Sequence, residues 1–162
     1  MLAAEEKAKL DLITRFPFLE GKVRIQRVRR LWADVPPEAF ADVFAYATGA
    51  ARFSLLCTIT GLDQGATFAA HYHLARESGE MLTLTVAVPR ERPVIHTVTA
   101  QFPSADAYER ELVDLLGFTV EGLATGTRYP LPDDWPVGQH PLRKDWQPAA
   151  AATPPQEAGH VR

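Results

Sequence analysis

The chain has 162 residues, with 17 lysines and arginines against 20 aspartates and glutamates, a formal net charge of -3, 46% hydrophobic residues and one cysteine. That length and apolar content suit one globular domain with its own core, and the slight acidity offers no bulk attraction to nucleic acid, whose phosphates select a basic face. Cys57 is alone, so this chain can form no internal disulfide and hold no four-thiolate iron–sulfur cluster; no apolar run approaches the roughly 18–20 residues that cross a bilayer.

The opening stretch, MLAAEEKAKLDLITRF, is charged and amphipathic, unlike a secretory signal. It reads as a helix over residues 1–16, with Leu2, Leu10, Ile13 and Phe16 as its apolar stripe. In KVRIQRVRRLWADV, Val23, Ile25 and Val28 alternate imperfectly with basic residues, which predicts a strand with one solvated face. DVPPEAFADVFAYATGA predicts a helix opened by Pro36 or Pro37 and stopped near Gly49. Phe40, Val43, Phe44 and Ala47 share one of its faces.

RFSLLCTITGLD is a near-continuous apolar run, the pattern of a strand covered on both faces. ATFAAHYHLAR alternates, SGE reverses the chain, and MLTLTVAVP has the cleanest period of two. Short connections make these three strands an antiparallel meander. PSADAYERELVDLLGF then predicts a helix with Ser104 as N-cap and Gly117 as its stop. Tyr108, Leu112, Leu115 and Leu116 form its stripe, flanked by Glu109 and Glu111, with Asp106, Arg110 and Asp114 opposite.

The expected fold is therefore α/β of the α+β kind: a mostly antiparallel sheet of about four strands packed by helices, with an extended irregular C-terminal tail. Residues 1–117 form the single domain, 118–146 an extended docking segment, and 147–162 an Ala/Pro-rich, low-complexity tail expected to be disordered.

Cofactor motifs are absent: no GxGxxG, no GxxxxGK[ST], no CxxC. His71 and His73 project from one strand face and could share a metal, although no third ligand stands at a telling spacing; two histidines on a solvated sheet face is the simpler reading. Glu109, Glu111 and Asp114 could support general acid–base chemistry, or form the solvated edge of a helix. The alternative function is thus a free-standing metal- or carboxylate-dependent hydrolase using either group. A third possibility is a binding module with no redox partner.

The stretch LPDDWPVGQHPLRKDW, residues 131–146, cannot form a helix or central strand, yet carries Trp135, Leu142 and Trp146. Either it packs back on its own domain or it lies on another protein.

Here the sequence resembles a known family. YERELVDLLGF, then EG, LPDDWP and HPLRKDW, are similar to the signature of the 30 kDa subunit family of complex I, the NADH-quinone oxidoreductase, and of the related subunit of group 4 [NiFe] hydrogenases. Glu109, Arg110, Glu111, Asp114, Gly117, Gly122, Asp134, Trp135, Pro141, Leu142, Arg143, Lys144 and Asp145 occupy its positions. The upstream order of FSLLCTITGLD, HYHL, LTLTVAVP and VIHTVTAQFPSADAYERE also follows the family, so the resemblance covers residues 20–146. PDDWP and the short VGQ spacer look more like the hydrogenase branch.

The resemblance implies a structural subunit of the peripheral arm, on the cytoplasmic side, touching the membrane only through its complex and with no catalytic site of its own. It implies a C-terminal segment docked on the large quinone-site or NiFe subunit, beside iron–sulfur subunits. It also implies that this chain holds no cofactor, while iron–sulfur clusters and a flavin or NiFe centre reside in those partners. Residues 118–146 are then expected to be poorly protected until assembly, and Arg143, a bidentate fork, to matter more for docking than Lys144. The family's GHP-x-LRR is GLATGTRYP here, leaving Arg128 as the stand-in for its arginines.

Overall fold

The computed structural model describes residues 2–148, so the expectation for the tail beyond Pro148 lies outside the described residues. Helix α1 (Ala3–Arg15) leads through a short 3-10 turn to a hairpin of β1 (Val23–Arg27) and β2 (Arg30–Asp34). Helix α2 (Phe40–Thr48) precedes the meander of β3 (Leu55–Asp63), β4 (Thr67–Ala75) and β5 (Met81–Pro89). Then come β6 (Val94–His96), α3 (Ala105–Leu116) and β7 (Thr119–Glu121).

The main sheet has five strands in the order β1-β2-β5-β4-β3, and β6 and β7 form a separate parallel pair. The mostly antiparallel α+β fold is as expected, with one strand more than expected in the main sheet. The additional strand, RLWAD, is concealed because its turn uses Arg29 at φ 59°, where glycine or asparagine would have announced a reversal. β2 then pairs parallel to β5, from Arg30 opposite Met81 to Asp34 opposite Thr85. No local pattern encodes that pairing.

The pleat sorts each strand into two faces. Phe68, Ala70, Tyr72 and Leu74 of β4 and Leu82, Leu84, Val86 and Val88 of β5 join the core with Leu12 of α1, Phe44 of α2 and Leu112 of α3. Each large apolar side chain so buried contributes about 1.5–3 kcal/mol, so this face carries the stability. The inward stripe of α1 differs from the expected one: Glu5, Ala8 and Leu12 are buried, whereas Leu10 is 63% exposed. A carboxylate can face inward there because Glu5 accepts the Arg29 N–H at 2.6 Å, pinning the hairpin turn to α1.

On the opposite face, His71 and His73 pair with Thr85 and Thr83 of β5, and each Nδ1 lies within 3.0 Å of the threonine hydroxyl. Trp32 meets His71 edge-on at 5.2 Å, and His71 is buried rather than solvated. Burial pushes both imidazoles below their ordinary pKa, which favours their neutral forms.

The edge strand β3 is where α3 sits. A Cβ at Gly61 would collide with a methyl of Leu116 and lie 2.6 Å from one of Leu112, so the missing side chain lets the helix approach the strand. Ser104 precedes α3 without a capping bond from its hydroxyl. Among the described residues no helix is long and apolar enough to cross a membrane.

Candidate partner-docking surface

Helix α3 organises the chain beyond it. Glu109 is fully buried, accepting the Val98 N–H at 2.7 Å and the Thr97 hydroxyl at 2.6 Å. Burial raises its carboxyl above the ordinary range, against the pull of those two bonds. It ties the loop after β6 to the helix. Arg110 grips Asp106 with two nitrogens, at 2.8 and 3.0 Å, and donates to the carbonyls of Ala124 at 2.9 Å and Thr127 at 3.3 Å.

Asp114 corrects the expectation of a solvated helix edge, because the succeeding segment covers it. Its carboxylate accepts Arg128 Nε at 3.0 Å and the Leu131 N–H at 3.3 Å, while Arg128 also donates to the Trp135 carbonyl at 2.7 Å. Arg128 thus links the segment after β7 to α3. Glu111 is half-buried and Asp134 exposed, and neither side chain makes a hydrogen bond among the described residues. The three acids of α3 do not converge.

An α-helix leaves its last carbonyls without intrahelical partners. Here the C-terminal segment supplies them. His140 Nδ1 donates to the Asp114 carbonyl at 2.8 Å, the Leu142 N–H to Leu115 at 3.0 Å, and Arg143 Nε to Leu116 at 2.7 Å. A cationic guanidinium at that end also suits the helix dipole. Gly117 makes this possible twice over. It is left-handed at φ 78°, and a Cβ would collide with Arg143 Nη2 and stand 2.7 Å from His140 Nε2. Gly122, at φ 84°, similarly turns the chain beside Thr97.

The last fastening is Asp63, at the end of β3. It is 3% exposed and accepts the Lys144 N–H at 2.9 Å, the Gly65 N–H at 2.8 Å and Arg90 Nη1 at 2.7 Å. Burial alone would raise its carboxyl, but those donors outweigh it and bring it down to about 2. Arg90 also pairs with Asp145, and both Arg90 and Arg143 lie over the Phe68 ring, at 5.0 and 5.2 Å. Trp135 and Trp146 stack at 6.1 Å around Gln139, each indole N–H donating to it at 2.9 Å.

Asp63, Arg90 and His140 lie outside the expected set. Asp63 carries a visible turn signal, an aspartate two residues before Gly65, but its pairing with Lys144 spans 81 positions and has no local trace. Among the side chains that the C-terminal segment, clasped on α3, leaves outward are three large apolar ones: Val137 is 96% exposed, Leu142 55% and Tyr129 49%, with Pro141 half-buried next to Leu142 in sequence. Among the described residues no group of three or more His, Cys, Asp or Glu converges as a metal site. The rings of His71 and His73 stand 6.4 Å apart.

A family model described as the respiratory-chain NADH dehydrogenase 30 kDa subunit matches residues 33–152. The chain belongs to that family.

Within the 30 kDa family, it is 32% identical over 140 residues to the C subunit of F(420)H(2) dehydrogenase from Methanosarcina mazei, covering 85% of this chain and 88% of that one. It is 33% identical over 119 residues to the C subunit of NADH-quinone oxidoreductase from Salinispora tropica, covering 69% of this chain and 48% of that protein. The chain thus spans about half of that longer relative. Among solved structures it resembles a chain of the membrane-bound sulfane sulfur reductase, an archaeal respiratory membrane complex, with TM-score 0.78 and 26% identity over 88% of this chain and 85% of that one. It also resembles a trypsin-resistant fragment of Nqo5, with TM-score 0.61 and 29% identity over 72% of this chain and 98% of that one.

For the 30 kDa signature, the geometry gives Arg143 a partner within the chain. Arg143 points into its own domain, whereas Lys144 contributes its backbone N–H and leaves its side chain in solvent. Arg143→Ala should therefore destabilise the isolated chain by about 2 kcal/mol, the scale of a hydrogen bond from a charged group, lowering its melt by roughly 4–8 °C. Lys144→Ala should stay within about 0.5 kcal/mol of the parent. Thermal melts of the two free variants check this; equal melts would mean that Arg143 does not staple the free protein.

Proposed function

We propose that this chain is a non-catalytic structural subunit of the peripheral arm of a membrane-bound, complex-I-like oxidoreductase. It docks on the large subunit through residues 118–146, and the complex's iron–sulfur clusters and flavin or NiFe centre belong to its partners. One observation carries the reading. Asp114 and Arg143 of the signature, together with Arg128 and His140, hold the segment on its own helix, which leaves Val137, Leu142 and Tyr129 outward.

A segment fixed before docking loses less conformational freedom on binding than a loose one, so more of its contact energy appears as affinity. Three relatives support the same reading: the C subunits of F(420)H(2) dehydrogenase and of NADH-quinone oxidoreductase, and a chain of an archaeal respiratory membrane complex. No observation favours the hydrolase alternative: Glu109 is bonded to the loop after β6, Asp114 is bonded into the clasp, and each histidine Nδ1 meets a threonine.

The test is the double variant Val137→Asp with Leu142→Asp, introduced into the natural complex. Carboxylates at two outward positions should reduce the yield of assembled complex at least tenfold, the scale of losing a buried anchor of about 2 kcal/mol. The melt of the free chain should stay unchanged, because neither side chain contributes to the core. Undiminished assembly with both aspartates in place would refute the docking role.

A further inference from the structure

The β1–β2 hairpin lies at the other end of the sheet from the clasp. Arg30 pairs with Met81 at the start of β5, whereas Arg90 follows its last residue, so roughly 26 Å of strand separates the two places. In a chain of net charge -3, residues 22–34, KVRIQRVRRLWAD, hold five cations and one acid. Lys22, Arg27 and Arg29 are exposed and Arg30 half-exposed, and none of the four forms an ion pair among the described residues. Arg24 pairs with Asp34 at 2.6 Å and lies over the Trp32 ring at 5.2 Å.

Two further features accompany the charge. Trp32 Nε1 is buried without a hydrogen-bond acceptor, and Val28 at the turn is 59% exposed. The turn is also held in place: Glu5 binds the Arg29 N–H from below, and Arg29 takes a left-handed φ of 59° that an arginine adopts only at some cost. Two acids at the hairpin are already engaged, Glu5 by the Arg29 N–H and Asp34 by Arg24.

We propose that this hairpin is a second docking surface, and that its occupant is an acidic segment of another polypeptide. Unpaired guanidinium groups offer forked donors to carboxylates. When Arg24 turns from Asp34 towards an incoming carboxylate, the indole N–H beneath it gains access to an acceptor. Five-residue strands are about 16 Å long, the length of an acidic helix of roughly ten residues. The rest of the chain is acidic, which opposes a nucleic-acid duplex or an anionic bilayer lying across it. Docked at both ends of its sheet, the chain bridges two neighbours. This inference does not rest on the role of the C-terminal segment.

The test uses the intact natural complex with a photoreactive benzoylphenylalanine in place of Val28. Irradiation should join it to a peptide of another subunit in which aspartate and glutamate outnumber lysine and arginine. The pair Lys22→Glu with Arg27→Glu should lower that crosslink at least fivefold, while the melt of the free variant matches the parent. A product formed with lipid, with nucleic acid, with a neutral or basic peptide or with this chain alone would overturn the proposal. So would the absence of any product, or a charge reversal that lowers the yield less than fivefold. Because Val137 and Leu142 are untouched, loss of the large subunit through the clasp would be a separate result.

Discussion

Asp63→Ala is expected to destabilise the free chain by roughly 3 kcal/mol, since removing one member of a buried charged network leaves its donors unsatisfied. For a chain of this size that is a fall of roughly 6–12 °C in the melt. Lys144, Gly65 and Arg90 all lose their common acceptor, so amides around residues 142–146 should exchange faster in the same variant. The acid side of the stability profile carries the same signature. Asp63 is held at about 2 against an ordinary 3.8, and Glu80, bonded by Arg76 and Ser78, at about 2 against 4.5. The stability from such depressed carboxyls is complete above their unfolded values and is lost as pH falls through about 2. His71 and His73 act earlier, because burial lowers their pKa and stability begins to fall as pH drops below 6.5. Glu109 has the opposite sign, its raised carboxyl favouring the protonated fold, and offsets part of the acid loss. A melt series from pH 8 to 2 should fall first near pH 6.5 and then steeply below pH 4, with the steep limb reduced in Asp63→Ala.

Gly117→Val should have an effect of similar size for a different reason. A β-branched residue at φ 78° is strained by about 1–3 kcal/mol, and its Cβ would occupy the space of Arg143 Nη2 and His140 Nε2. The expected outcome is a loss of about 3 kcal/mol in the free chain, read from denaturant titration, together with reduced assembly. Gly21, also left-handed but with nothing within 4 Å of its Cβ position, is the control; its replacement by alanine should carry the backbone strain alone.

The elements legible in the sequence are those whose information is local. The meander of β3, β4 and β5 follows from alternation and short turns, and Gly117 does end α3 in the left-handed conformation that a stop glycine implies. Strand β2 is hidden by an arginine in a glycine-type turn, and the three-residue β6 and β7 are too short for any period to register. The clasp is the instructive case. Asp114 lies opposite the apolar stripe of α3, where a helical wheel places solvent, yet it is buried because a polar segment lies on it. Polar side chains can seal a surface when each finds its partner, and amphipathic patterning does not record that. The family signature names residues without their partners, so it points Arg143 at another chain although its acceptor, the Leu116 carbonyl, is its own.

Hydrogen exchange on residues 136–146, in the free chain and in the natural complex, tests the central claim most directly. The amides of Leu142 and Lys144, bonded to the Leu115 carbonyl and the Asp63 carboxylate, should be protected before any partner is present. On assembly, additional protection should appear at Val137 and Gly138, on the outward side. Free exchange at Leu142 and Lys144 in the isolated chain, or no change at Val137 on assembly, would contradict a segment that is fixed first and docked second.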